Sequence, residues 1–115
     1  MGEFKKQINK GVLELAVLKL LNENDQYGYA IMQQVKDRSD TQLAMKDGTL
    51  YPILYRLEDN GLIESYWQQV EGRGKPRKYY KITKKGSSEL ESMIQDYLSV
   101  SLGIKRILDL GGHDE

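Results

Sequence analysis

The chain has 115 residues, 39% of them hydrophobic and 30% charged, which suits one soluble globular domain with a single core rather than a disordered segment. Seventeen Lys and Arg balance 17 Asp and Glu, and the absence of cysteine excludes disulfides, thiolate nucleophiles and cysteine-bound zinc. The longest apolar run, "LAVLKLL", is too short to span a bilayer, and "MGEFKKQINKG" has neither the apolar core of a signal peptide nor a myristoylation motif. A cytoplasmic protein without membrane contact is therefore expected.

In chain order, "VLELAVLKLL" (Val12 to Leu21) has the propensity and length of a helix buried on most sides, ending at "NENDQ". "YGYAIMQQVKDR" predicts a second helix with Ala30, Ile31 and Val35 inward, and "SDTQLAMKDG" reads as a turn-rich connection. "TLYPILYRLEDNG" predicts a third helix, because Leu50, Ile53, Leu54 and Leu57 recur at i, i+3, i+4 and i+7. Pro52 has no N–H to donate, so its place is expected in the first turn, with Asp47 or Thr49 as the cap and Asn60-Gly61 as the stop. The helical period then fails, and Leu62 to Val70 and "RKYYKIT" predict two strands joined by "EGRGKP", a hairpin. Tyr80 and Ile82 are expected to point inward and Tyr79 and Lys81 outward, while Trp67 is read as core packing.

Thr83 is the expected N-cap of a last helix running to about Leu110, roughly 40 Å long at 1.5 Å per residue. Leu90, Met93, Ile94, Tyr97, Leu98, Ser101, Ile104 and Leu108 trace one stripe along it. So small a domain cannot cover a stripe of that length, which predicts a homodimer joined through it. The fold class is thus mainly α with a small β-hairpin (α+β): a winged helix-turn-helix over residues 1–83, then a dimerisation helix and short tail over 84–115.

Charge is distributed unevenly along this frame. Seven of the Lys and Arg residues lie between Arg73 and Lys85 with no acid among them, whereas six acids face two bases from Gly86 onward. A helix as wide as the major groove beside a cationic hairpin is a mechanical fit to double-stranded DNA. Base contacts are assigned to Thr49, Tyr51, Tyr55 and Arg56, with Lys46 and Pro52 alongside. Phosphate contacts are assigned to Arg73, Lys75, Arg77 and Lys78. For Tyr51 and Tyr55, simple surface packing stays open. The alternative for the whole chain is a winged-helix module whose hairpin docks an acidic protein partner instead of DNA. His113, the only histidine, stands in "GGHDE" with no second histidine for a triad or a His-ligated zinc site, and neither an enzyme nor a cofactor is expected.

"DGTLYPILYRLEDNGLIESYW" followed by "GKPRKYYKITKKG" resembles the PadR family of bacterial transcriptional regulators, with Ile82 in place of that family's common Leu. "VLELAVLKLL" and "YGYAI" sit where the family has its leucine-rich first helix and a "YGYEI"-like segment. The resemblance spans about Gly11 to Gly86. It implies a dimeric repressor whose last helix pairs with its mate and with the N-terminal helix. It also implies release from the operator by a small hydrophobic or aromatic effector, whose identity does not transfer.

Overall fold

The apolar run from Val12 does form a helix, but the helix is about twice as long as the run. In the computed structural model, which describes residues 2–69, 72 and 74–110, α1 spans Glu3–Glu23. It is followed by β1 (Gln26–Tyr27), α2 (Gly28–Arg38), α3 (Asp47–Asp59), β2 (Ile63–Gln68), β3 (Arg77–Ile82) and α4 (Lys84–Leu108). The sheet has three strands where two were expected. β1 adds to the far side of β3 in the order β1-β3-β2, all antiparallel, with Gln26 opposite Tyr80 and Tyr27 opposite Tyr79. Gln26 makes the exit from α1 possible. Its buried amide donates to the Leu20 carbonyl (3.1 Å) and accepts from Gln34 (2.6 Å), so neither the helix end nor the side chain is left unpaired.

The core gathers one face of each helix under the inner face of the sheet. Leu13, Val17, Leu18 and Leu21 of α1 meet Ile31 and Val35 of α2, the predicted face of α3 (Leu50, Ile53, Leu54, Leu57), Ile63 and Tyr80. Tyr80 is buried as expected, and Tyr79 on the opposite face stacks on Tyr66 at 5.8 Å between ring centroids.

Three local expectations need correction. α3 begins at Asp47, with Lys46 as its N-cap residue and no side-chain cap, so neither Asp47 nor Thr49 caps it. Pro52 is therefore the sixth helical residue and not in the first turn; what it forgoes is a hydrogen bond to the carbonyl of Gly48, an exposed residue at which water can substitute. Trp67 is not core: it is 64% exposed, because β2 runs past the edge of the helices before the chain turns.

Gly61 closes α3 in the left-handed conformation (φ 76°), and the N–H groups of Gly61 and Leu62 bond back to Glu58 and Leu57. Thr83 caps α4 as expected, its hydroxyl accepting from the Gly86 N–H at 3.0 Å. Leu90 belongs to the core of its own domain and not to an outer seam, and Met93 and Ile94 are half-buried against that core. Beyond them α4 continues outward alongside α1. The two helices are antiparallel, since Ser87 bonds to Asn22 at one end while Ile104 shares a groove with Phe4 and Ile8 at the other.

Candidate nucleic-acid interface

α2 is fixed between α1 and α3 by contacts at its two ends. Arg38, the last residue of α2, donates two hydrogen bonds to the Glu23 carboxylate at the end of α1 (2.5 and 3.1 Å), and Lys19 donates a third at 2.7 Å. These cations hold the Glu23 carboxyl down to about 2, the Arg38 hydrogen bond contributing most. At the other end of α2, Gly28 lies directly under the Tyr51 hydroxyl, where a Cβ would collide with it. Burial, first, and then the charge of Asp47 raise the Tyr51 pKa above its usual value. Tyr51 is thus an interlock between α2 and α3, half-buried rather than turned to solvent.

The outward side of α3 carries Thr49, Pro52, Tyr55 and Arg56, all exposed, with Lys46 exposed just before the helix. Tyr55 is 57% exposed. Arg56 is not idle, since its Nε donates to Glu14 on α1 at 3.0 Å. The flank bearing Tyr51, Tyr55 and Glu58 borders the sheet: Glu58 accepts from the Ser65 hydroxyl at 2.8 Å. Tyr80 feels all three, although burial is the main reason its pKa is pushed up to about 12.

The cations of the hairpin divide between its two faces. Arg77 lies on the outer face, its guanidinium 4.2 Å from the centroid of the Tyr27 ring, and Tyr27 meets Tyr79 edge-on at 5.5 Å. Tyr66 completes this aromatic row and donates to Asp25 at 2.6 Å, which ties the root of the hairpin to the α1–β1 connection. Lys78 lies on the inner face, 5.9 Å from the Trp67 ring and 5.8 Å from that of Tyr80. Lys75 is exposed in the turn. Arg73 lies outside the described residues, as does His113.

Of the ten predicted contacts, then, Lys46, Thr49, Pro52, Tyr55 and Arg56 share one exposed side of α3, and Lys75, Arg77 and Lys78 lie on the adjacent hairpin. Sequence reasoning missed the exposed Trp67, as well as Tyr29 at the start of α2, which borders a shallow groove with Lys36 and Lys46. The alternation of strand β2 carried the direction of Trp67; it did not carry where the core would stop. No helix among the described residues is long and apolar enough to cross a membrane.

Comparison with known proteins points the same way. Residues 17–92 match the transcriptional regulator PadR-like family. An uncharacterised protein of Lysinibacillus sphaericus is 37% identical over 106 residues, 92% of this chain and 93% of its own. The negative transcriptional regulator PadR of Bacillus subtilis is 30% identical over 83 residues, which are 72% of this chain and 45% of that regulator. The crystal structure of a PadR family transcriptional regulator from Eggerthella lenta superposes with a TM-score of 0.78 at 31% identity, covering 91% of this chain and 88% of that one.

Proposed function

The chain belongs to the PadR-like family of transcriptional regulators, and from that premise we propose that it is a homodimeric, sequence-specific DNA-binding repressor acting in the cytoplasm. Family members regulate transcription and are not enzymes. The observation that carries the DNA reading is the exposed side of α3 standing beside a hairpin rich in Lys and Arg. Residues 1–83 form the DNA-binding unit in this reading and 84–115 the dimerisation helix and tail. α3 enters the major groove, where Thr49, Tyr55 and Arg56 meet base edges and Lys46 and Pro52 lie against the strand; Tyr51 acts by holding the helix. Arg73, Lys75, Arg77 and Lys78 neutralise flanking phosphates. Repression is favoured over activation by the likeness to the negative regulator of Bacillus subtilis.

Dimerisation is supported by what α4 leaves uncovered. Tyr97, Leu98, Ile104 and Leu108 of the predicted stripe are exposed, and Val100 and Ile107 beside them are too. A groove of about 700 Å3 between α1 and α4 is lined by Phe4, Ile8, Val12, Tyr97 and Ile104, among others, and a second copy would roof it. Its apolar walls suit a flat hydrophobic or aromatic effector, which releases DNA if it binds one dimer arrangement better than the other.

The deciding experiment is selection of bound fragments from a genomic library, followed by titration of the recovered duplex and a random one at several salt concentrations. A DNA-binding dimer gives tighter binding to the selected site and an affinity that falls steeply with salt, by about 0.9 log units per log unit of salt for each phosphate contacted. Binding to neither duplex would leave the hairpin as a surface for an acidic protein partner.

A further inference from the structure

Strand β2 points Ile63, Ser65 and Trp67 to one face of the sheet, and the three report where the core ends. Ile63 is buried, Ser65 is half-buried and bonded to Glu58 of α3, and Trp67, two residues further out on the same face, is 64% exposed. Its ring stands beyond the point where the same face of β2 stops packing on α3. Opposite it in register is Lys78, whose ammonium lies within 6 Å of both the Trp67 and the Tyr80 rings (5.9 and 5.8 Å). Among the described residues, the other large exposed apolar side chains are Tyr29 of α2, Tyr55 of α3 and ten residues on α1, on α4 or just after it. Trp67 belongs to neither groove between those two helices, so a second copy seated there does not account for it.

We propose that Trp67 is a DNA-contacting residue of the wing, its indole packing on the apolar edge of deoxyribose and base in the minor groove flanking the α3 site. The inference rests on the DNA-binding reading above and adds to it an apolar anchor among the cations. The chemistry favours nucleic acid over an acidic protein surface. A large flat ring with an ammonium beside it matches a polymer that alternates apolar sugar with phosphate, and Lys78 need move only from ring to phosphate to pair with it. A carboxylate-rich partner would call for the cations and leave the indole without a counterpart.

Trp67 is the only tryptophan in the chain, so the unaltered protein reports on it directly. Binding of a fluorescein-labelled duplex, followed by the anisotropy of the label, is compared with indole emission and its quenching by acrylamide. At saturation the indole emission should change and its acrylamide quenching should fall at least about twofold. Trp67→Ala should weaken binding about tenfold without changing the salt slope or the thermal midpoint, and Trp67→Phe should recover most of the loss. Saturated binding with unchanged quenching, and an alanine variant that binds like wild type, would overturn the inference and leave the DNA-binding reading standing. An indole already shielded in the free protein would overturn it as well. Absence of binding to any duplex would sink both.

Discussion

At the scale of single residues, Gly86 is the most tightly enclosed glycine among the described residues. It is buried in the first turn of α4, where a Cβ would collide with the Leu62 carbonyl oxygen and come within 2.7 Å of Ile82 Cγ1. That carbonyl cannot retreat freely, because it accepts from the Thr83 N–H at 3.0 Å. Gly86→Ala should therefore lift α4 off the corner between α3 and β2 and cost on the order of 2 kcal/mol, read as a lower urea midpoint. Gly48→Ala is the control, since a Cβ there meets nothing within 4 Å and the midpoint should hold or rise slightly. Tyr66 gives a pH test. The hydrogen bond its hydroxyl donates to Asp25 is the main cause that pushes its pKa up to about 12. The folded state keeps this proton after the unfolded chain, with tyrosines near a pKa of about 10, has lost it. The bond's contribution is complete below pH ~10 and is lost as pH rises toward 12. Tyr66→Phe should be less stable than wild type at neutral pH and lose less stability across that alkaline window, in urea titrations at each pH. Parallel curves for the two proteins would remove the bond's role.

At the scale of elements, what could be read from the sequence was what local chemistry decides. The inward face of α3, the left-handed stop at Gly61 and the Thr83 cap each depend on neighbours within one or two turns, and all three stand as read. What was illegible depends on distant partners. β1 is only two residues long and exists because β3, some fifty positions on, offers an open edge. The first turns of α1 carry no core stripe because Phe4 and Ile8 line the open groove beside α4 and stay exposed. Arg56 was legible as an outward cation, but its Glu14 partner lies 42 residues away. α3 and the hairpin should separate experimentally. Replacing Lys75 and Arg77 with Ala should weaken selected and random duplex alike, and flatten the slope of log K against log salt by about two units per subunit if both reach phosphates. Arg56→Ala should act mainly on the selected site, by about 1–3 kcal/mol if it reads a guanine. Because Arg56 must leave Glu14 to do so, Glu14→Gln should tighten that same site modestly. An unchanged salt slope in the hairpin variant would reduce its cations to solvated charge.

At the scale of the whole molecule, the chain is too extended for its size. Its radius of gyration is 16.2 Å and its extents are 56 × 32 × 21 Å, whereas a compact domain of this length has a radius near 13 Å. The excess lies in the distal half of α4, which leaves the core after Ile94. Leu98, Val100, Leu102, Ile104, Ile107 and Leu108 are all exposed there and occupy well over half of the helix circumference. One neighbouring helix covers a stripe of about 100°, so α1 of the same chain cannot cover that arc, and two more helices are needed. A two-fold partner, as proposed above, would supply both, its own α1 and α4, by a single symmetric contact. Ile104 sits where the arc meets the groove, half-exposed in the isolated chain. Ile104→Glu should therefore leave folding intact while burying an unpaired carboxylate in the seam, a cost of several kcal/mol to association. Sedimentation at micromolar concentration should give a dimer for wild type and a folded monomer for the variant. The monomer should also lose operator affinity, because one α3 reads one half-site, and lose any aromatic ligand that needs the roofed groove. A wild-type chain that sediments as a monomer would leave the apolar arc without its second copy.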